Sequence, residues 1–252
     1  MDVCYKTDTG LKRSINEDSY LVVDSSNSEL DIKSYGMMFA IADGMSGHAG
    51  GLKASRMACE GLEDYYKGTL DVFNATDFVN SKLIHLEKTI LNTHKKIEKF
   101  TEENNEYEHM GTTLSVLVLL NDKAFIAHVG DSRIYRLQDS CLMQLSEDHT
   151  MAQLSVEMGY IKSEDVSSSP QRHVLMQSVG ESIDQVQTGI LELDKKDIFL
   201  LCSDGLYNMV SNDEIRDILH DNIDKNTVCD KLVRAALDNG GKDNVTVIVI
   251  KV

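Results

Sequence analysis

Four aspartates stand next to strongly apolar runs of the sequence. Asp43 ends MMFAIAD, Asp131 ends AFIAHVGD, Asp204 ends IFLLCSD, and Asp243 stands directly before NVTVIVIKV. A single Asp-Gly or Asp-Asn pair is explained by turn chemistry, because both dipeptides are common in loops. Four carboxylates at strand ends can instead meet at one edge of a sheet, where they repel one another unless a cation lies between them.

The elements that must position these aspartates are strands rich in β-branched and aliphatic residues, with helical patterns in the gaps between them. The clearest helical pattern covers residues 77–100, where apolar residues recur at helical spacing among lysines and glutamates. Further helices are predicted over 52–66, 212–220 and 226–239. Strands are predicted over 20–24, 36–42, 112–120, 124–129, 133–137, 186–193, 197–202 and 245–252.

The order of these elements predicts an α+β protein. The strands at 112–120 and 124–129 are too close for a helical crossover, so they indicate an antiparallel hairpin. Long helices among hairpins favour a layered α+β fold over a doubly wound parallel sheet. Polar residues dominate from about 150 to 180, which predicts a surface flap. Because Pro170 is the only proline and no repeat or low-complexity stretch occurs, residues 1–252 are predicted to form a single domain.

Composition excludes several functional classes. Lys plus Arg number 25 and Asp plus Glu number 41, so the formal charge is 25 − 41 = −16. Such an acidic chain is predicted to bind neither nucleic acid nor an anionic membrane surface. No apolar run is long enough to span a membrane, and the N-terminal MDVCYKTDTG does not resemble a secretion signal. The predicted location is the cytoplasm.

The cysteines argue against both disulfide and thiol chemistry. Their odd count and scattered spacing are typical of reduced thiols, and they form no recognisable zinc site. A cysteine-dependent phosphatase needs an arginine six residues after its cysteine, whereas the five positions here hold Gly10, Tyr65, Glu147, Asn208 and Ala235. A nucleotide-binding loop of the form GxxxxGK[ST] is also absent. The cysteines themselves are Cys4, Cys59, Cys141, Cys202 and Cys229.

Eight motifs, in order along nearly the whole chain, resemble the metal-dependent Ser/Thr protein phosphatases of the PP2C type, also called PPM. The compact length and the sixth motif resemble the bacterial, single-domain branch. The motifs are RSINED (13–18), ADGMSGH (42–48), GTT (111–113), VGDSR (129–133), EDHT (147–150), PQRHVLMQSVG (170–180), LLCSDGL (200–206) and GGKDNVT (240–246).

The resemblance implies a four-layer α-β-β-α sandwich, with two antiparallel sheets flanked by helices and a metal site at one end. It implies that Asp43 bridges two metal ions and that the Gly44 carbonyl binds one of them. Asp204 and Asp243 are implied as further ligands of the first ion. These hard oxygen ligands suit Mn²⁺ or Mg²⁺ rather than zinc.

The resemblance also assigns roles outside this central set. Glu17 and Asp18 are implied to act mainly through metal-bound waters. Asp131 and Asp204 are similar to the pair that supplies a third, weaker metal site in the bacterial branch. Arg13 resembles the residue that holds the substrate phosphate, and its forked, permanently charged guanidinium suits that task.

One position departs from the family pattern. Some members carry a histidine directly after the Asp-Gly pair, proposed as the acid that protonates the leaving oxygen, but this chain has Met45 there. His48 lies three residues on, in a glycine-rich loop, and is a candidate for that role. A metal-bound water is the other candidate. His149 is predicted to be structural, at the strand edge beneath the flap.

Two ions about 3.5 to 4 Å apart can activate a shared water as hydroxide for attack on phosphorus, so no covalent phosphoenzyme is needed. The predicted activity is hydrolysis of phosphoserine and phosphothreonine in proteins, opposing a Ser/Thr kinase in a bacterial cell, by a monomer. The alternatives are a catalytically silent relative that binds phosphoproteins or regulates a partner, and a domain specialised for one regulatory phosphoprotein. A silent relative is expected to lack one or more metal carboxylates, and all four aspartates are present here.

Overall fold

The computed structural model describes residues 1–45, 49–67, 78–221 and 225–252, and two antiparallel sheets form its centre. The first sheet contains both ends of the chain. Its strand order is β1 (Asp2–Asp8), β11 (Val245–Lys251), β10 (Ile198–Cys202), β7 (Arg133–Gln138) and β8 (Cys141–Gln144).

The second sheet holds the remaining strands of the described part of the chain. The short strand β4 (Gly111–Thr112) pairs with the end of β3 and lies off the main order. That main order is β2 (Asp18–Val23), β3 (Met37–Met45), β5 (Leu114–Leu120), β6 (Lys123–Val129) and β9 (Gln187–Glu192).

Helices cover the outer face of each sheet. Leu86 and Ile90 of the long helix α4 pack with Ala54 of α2 and with Met38 of the second sheet. Residues of the C-terminal helices pack in the same way on the first sheet. The helices are α1 (Ile32–Tyr35), α2 (Ala49–Leu62), α3 (Asp64–Lys67), α4 (Phe78–Glu103), α5 (Met151–Glu157), α6 (Asp204–Tyr207), α7 (Asn212–His220) and α8 (Lys225–Asp238).

A separate apolar layer joins the two sheets. Phe39 and Ile41 of the second sheet contact Phe199, Leu201 and Ile248 of the first within one buried cluster. The layers therefore run helix, sheet, sheet, helix, and the predicted α-β-β-α sandwich is confirmed. None of the described helices is both long and apolar enough to cross a membrane.

Most predicted elements occur with small shifts of their ends. The predicted strand at 112–120 is divided into β4 and β5, and the predicted helix at 52–66 is divided into α2 and α3. The prediction missed β1 and β8, which are edge strands. It also missed the short helices α1, α5 and α6.

The segment predicted as a flap is tied to the body at both ends. It contains α5 and a 3₁₀ helix, Ser163–Ser168. Thr150 bridges to Leu175 across the base of the segment, and Val179 bridges to Thr112 of β4. Because β4 pairs with the end of β3, these contacts hold the flap beside the end of the sandwich at which Asp43 lies.

The prediction of reduced thiols is wrong for two of the cysteines. Cys4 of β1 and Cys229 of α8 form a disulfide, with their Cα atoms 6.2 Å apart. Sequence spacing hides this pair, because 225 residues separate the two cysteines while α8 packs directly on the strand pair β1 and β11. Cys59 and Cys202 are free and buried, and Cys141 is free and exposed.

The start of α6 lies directly against the start of β11. A Cβ atom added at Gly205 would lie 1.9 Å from the backbone oxygen of Asn244. No side chain fits at that distance, so glycine is required for Asp204 and Asp243 to lie on neighbouring chain segments.

We predict that Gly205→Ala lowers the free energy of unfolding by roughly 3 kcal/mol or more, because the added methyl group forces the two segments apart. Urea denaturation followed by circular dichroism measures this. Gly159→Ala is the control: φ is +74° there and no atom lies within 4 Å of the added Cβ, so only backbone strain of about 1 to 2 kcal/mol is expected. Equal losses in the two variants would contradict the close-contact explanation.

Candidate active site

The alternation of strand residues directs acidic side chains between the sheets. On β3, Phe39 and Ile41 face the gap between the sheets, and Asp43 follows two residues later on the same side. On β2, Tyr20 packs against the same layer, and Asp18 lies two residues before it. The apolar layer therefore ends, at one edge of the sandwich, in carboxylates.

Asp18 and Asp43 lie directly opposite each other in the register of β2 and β3. Like charges at such opposed positions destabilise a sheet. One carboxylate oxygen of Asp18, Oδ2, accepts hydrogen bonds from Ser203 Oγ at 2.8 Å and Thr246 Oγ1 at 2.6 Å. Its other oxygen, Oδ1, is buried and accepts no hydrogen bond from the described residues. The first sheet thus holds Asp18 by one oxygen only.

An open cavity of about 490 Å³ collects most of the predicted site residues at this edge. Asp18 does not line it and lies behind it, opposite Asp43. The predicted residues that do line the cavity are Arg13, Glu17, Asp43, Gly44, Asp131, Asp204 and Asp243. His48 lies outside the described residues.

Burial and mutual repulsion make the carboxyl groups at this edge harder to ionise. Desolvation, followed by repulsion from Asp18, Asp204 and Asp131, raises the pKa of Asp43 well above its usual value. Desolvation, then repulsion from Asp131 and Asp243, does the same to the pKa of Asp204. Desolvation also raises the pKa of Asp131 to about 7 and that of Asp18 to about 6. In each case burial is the first cause.

Arg13 is held at the rim of the cavity. Its Nη2 donates to Asp243 Oδ2 at 2.7 Å, and about half of its side chain is exposed. The loop before β2 is also fixed by Asn244, whose Oδ1 accepts from the backbone N–H of Glu17 and whose Nδ2 donates to the backbone oxygen of Ile15. A residue next to Asp243 therefore positions the segment that carries Arg13 and Glu17.

Gly44 allows helix α2 to approach the cavity. A Cβ atom at this position would lie 2.2 Å from the backbone oxygen of Gly51 and 2.7 Å from that of Glu17. Ser55 of the same helix donates its hydroxyl to the Glu17 carbonyl at 2.6 Å. The glycine after Asp43 therefore permits a close approach of three backbone segments.

Side chains of helix α6 and its C-cap hold two of the aspartate segments in place. Asn208 lies one helical turn after Asp204, and its Nδ2 donates to Asp204 Oδ2 at 3.0 Å. Tyr207 donates its hydroxyl to the backbone oxygen of Asp131 at 2.9 Å. The guanidinium of Arg133 stacks on the Tyr207 ring, 3.6 Å from its centroid.

Sequence reasoning missed several residues of the cavity. Arg172 and His173 line it, and the only sequence signal for them was their place in the PQRHVLMQSVG motif. Asn208 stands four positions after Asp204, a spacing that brings two residues together on a helical turn, but α6 was not predicted and so no sequence signal pointed to it. His149 lies apart from the cavity lining. Its Nδ1 accepts from the backbone N–H of Gly130 at 3.2 Å.

The lining chemistry fits hard divalent cations, although the described side chains do not already enclose one. Within the described ranges, no group of three or more Asp, Glu, His or Cys side chains is arranged to hold an ion. The ligands on offer are carboxylate and backbone oxygens, which Mg²⁺ and Mn²⁺ prefer. A cation at this edge would contact the unsatisfied Oδ1 of Asp18 and would offset the repulsion that raises the pKa of Asp43.

Comparison with known proteins agrees with this geometry. A family model described as Protein phosphatase 2C matches residues 12–238. The chain belongs to the protein phosphatase 2C family. The serine/threonine phosphatase stp of Listeria monocytogenes serotype 4b is 34% identical to it over 248 residues, 98% of this chain and 94% of that relative.

Solved structures of this family share the fold. The crystal structure of the serine/threonine phosphatase PstP/Ppp of Mycobacterium tuberculosis matches with a TM-score of 0.82 and 32% identity, covering 99% of this chain and 98% of that one. The catalytic domain of a phosphatase named PstP, solved in complex with 2 manganese ions, matches with a TM-score of 0.78 and 31% identity, covering 98% and 96% of the two chains. The resemblance to a bacterial PP2C-type phosphatase is therefore confirmed.

The raised carboxylate pKa values predict a pH dependence for the metal-free protein. Between about pH 4 and 7 the folded chain binds more protons than the unfolded chain, whose aspartates have pKa values near 3.9. Stability is then present in acid and is lost as pH rises. We predict that urea denaturation with a chelator gives an unfolding free energy roughly 1 to 3 kcal/mol lower at pH 7 than at pH 5.

The variant Asp43→Asn tests the source of this loss. It removes one of the mutually repelling charges and should flatten the pH dependence, whereas Asp122→Asn, at an exposed turn position, should keep the wild-type slope. A slope in Asp43→Asn as steep as that of the wild type would show that the carboxylate cluster is not its origin.

Proposed function

We propose that this chain hydrolyses phosphoserine and phosphothreonine in proteins without a covalent phosphoenzyme. The observation that carries the proposal is the meeting of Asp43, Asp131, Asp204 and Asp243 around one open cavity. Family membership and the names of the relatives support the same activity. When bound, Mn²⁺ or Mg²⁺ supplies positive charge and an activated water at neutral pH.

We propose that two ions bind here, with a third, weaker site. Asp43 and the Gly44 carbonyl would hold the pair, and Asp204 and Asp243 would complete the ligands of the first ion. The support is their common position on the cavity wall, together with the oxygen chemistry that such ions prefer. The Mn²⁺-bound relative supports metal dependence in particular.

The remaining acidic residues are proposed to act outside the two central metal sites. Asp131 would contribute with Asp204 to the third site, and Glu17 and Asp18 would act mainly through waters. Asp18 suits that role, because it lies behind the cavity lining and is held by Ser203 and Thr246. Because Asp18 lies opposite Asp43, its negative charge would act on the two ions although its side chain does not line the cavity.

Arg13 is proposed to bind the substrate phosphate. Its contact with Asp243 uses one guanidinium nitrogen, so other N–H groups of the fork can donate to phosphate oxygens. Asp243 would then have two tasks, binding an ion and orienting Arg13. His48, or a water on one of the ions, is proposed as the acid that protonates the leaving oxygen.

The cellular setting is proposed from the same reasoning. The substrates would be phosphoproteins made by a Ser/Thr kinase, and the enzyme would act as a cytoplasmic monomer that binds neither nucleic acid nor membranes. The net charge of −16 supports the last two points, because phosphate-rich surfaces repel such a chain.

Residues 1–252 would form one PP2C-type domain, with the flap at about 150–180. The alternative of a silent relative is disfavoured, because each of the four aspartates lines the cavity.

We predict that a phosphopeptide is hydrolysed with Mn²⁺ or Mg²⁺ and that a chelator abolishes turnover. Asp204→Ala and Asp43→Ala should lower kcat at least roughly 100-fold, because each removes a ligand of the ions that activate the water. Phosphate release measures both effects. Asp122→Ala is the control, and circular dichroism checks that the variants fold. Metal-independent turnover, or full activity of either variant, would contradict the proposal.

Arg13→Met should raise KM for a phosphopeptide roughly 10-fold, while kcat falls less, because a charge-assisted bidentate contact to phosphate is lost. Initial-rate kinetics over a range of peptide concentrations measure the two constants. Arg216→Met is a matched control, since Arg216 pairs with Asp213 and Asp217 on helix α7. An unchanged KM in Arg13→Met would count against phosphate binding by this residue.

A further inference from the structure

A second cavity, of about 670 Å³, adjoins the candidate active site. It lies between the flap, the β8 end of the first sheet, and helices α6 and α7. Arg172 and Asn208 line both cavities, so the two are direct neighbours. Asn208 also donates to Asp204, which links the shared wall to a proposed metal ligand.

The walls of the second cavity are mainly polar and uncharged. Ser163 and Ser167 of the flap face it from one side, and Gln187 and Asn212 line it as well. Hydroxyl and amide groups of this kind both donate and accept hydrogen bonds, as the N–H and C=O groups of an extended peptide require. A small phosphate ester needs only the first cavity, whereas a protein substrate must continue past it.

The charges of the cavity are mostly engaged within the protein. Arg133 binds Asp148 through Nε at 2.9 Å and Nη2 at 2.6 Å. Glu147 accepts a hydrogen bond from Gln153 at 2.8 Å. Arg172 is exposed, and its guanidinium forms no ion pair with the described residues. The junction of the two cavities therefore presents a positive charge on a strongly acidic protein.

We propose that this second cavity binds the substrate polypeptide on one side of the phosphorylated residue, and that Arg172 binds an acidic side chain next to that residue. The inference rests on the proposed phosphatase activity and specifies its substrate class. Glu147 also lines the second cavity and repels acidic side chains, so the acidic preference is confined to the junction at Arg172.

Kinetics with matched substrates test the acidic preference. Phosphoserine peptides that carry Asp or its neutral isostere Asn beside the phosphoserine, on either side, are compared with p-nitrophenyl phosphate, which has no peptide chain. We expect wild type to prefer one Asp peptide about two- to fivefold in kcat/KM, the range of an exposed ion pair, and Arg172→Gln to lose that preference. No preference in wild type, or an equal loss with all substrates in Arg172→Gln, overturns the assignment.

Filling the cavity tests the docking path. Ser167 lines the second cavity and the neighbouring Ser168 does not, although both are exposed on the same 3₁₀ turn. Ser167→Trp should lower the ratio of peptide to p-nitrophenyl phosphate kcat/KM roughly fivefold or more, because the indole occupies the peptide path. Ser168→Trp should keep the wild-type ratio. Equal ratios in the two variants overturn the proposal.

A binding measurement separates this proposal from the phosphatase activity itself. Fluorescence anisotropy of a labelled phosphopeptide reports occupancy of the cavity even where no turnover occurs. Wild type that binds the peptide but hydrolyses neither substrate would contradict the proposed function and leave the docking cavity supported. Peptide that binds Ser167→Trp as tightly as wild type would overturn the docking cavity alone.

Discussion

The structure depends on the repulsion between carboxylates that meet at one end of the sandwich. Asp18 and Asp43 oppose each other across neighbouring strands, and Asp131 and Asp204 add to the field that raises the pKa of Asp43. Desolvation is the first cause of the raised pKa values of Asp43 and Asp204, and repulsion between the carboxylates adds to it. A fold that concentrates such groups is stabilised by bound cations, because cations remove the repulsion that the protein itself leaves in place.

The rest of the fold serves to bring these groups together and hold them. Alternation along β2 and β3 places Asp18 and Asp43 on the side of the apolar layer between the sheets. Close backbone approaches at Gly44 and Gly205 bring α2 and α6 against the aspartate segments. Asn244 fixes the loop that carries Arg13. The site is thus assembled from strand ends and short loops whose positions the two sheets determine.

Sequence predicted much of this arrangement, because period-two alternation and apolar strand ends are local signals. These signals predicted a layered α+β protein and the group of aspartates, and the family resemblance supplied the four-layer sandwich and the role of Arg13. Sequence reasoning missed strand β1, an edge strand of mixed composition, and with it the proximity of Cys4 and Cys229. It gave no role to Arg172, because the return of the flap to the cavity depends on long-range pairing such as that of Thr112 with Val179. Such long-range contacts produce no periodic pattern in the sequence.

The most direct test of the central claim is calorimetric titration of Mn²⁺ into the metal-free protein at pH 7, in buffers of different ionisation enthalpy. The account predicts that at least two ions bind per chain and that protons are released, because carboxyl groups with raised pKa values must ionise to become ligands. Absence of binding, or binding of two ions without proton release, would contradict it.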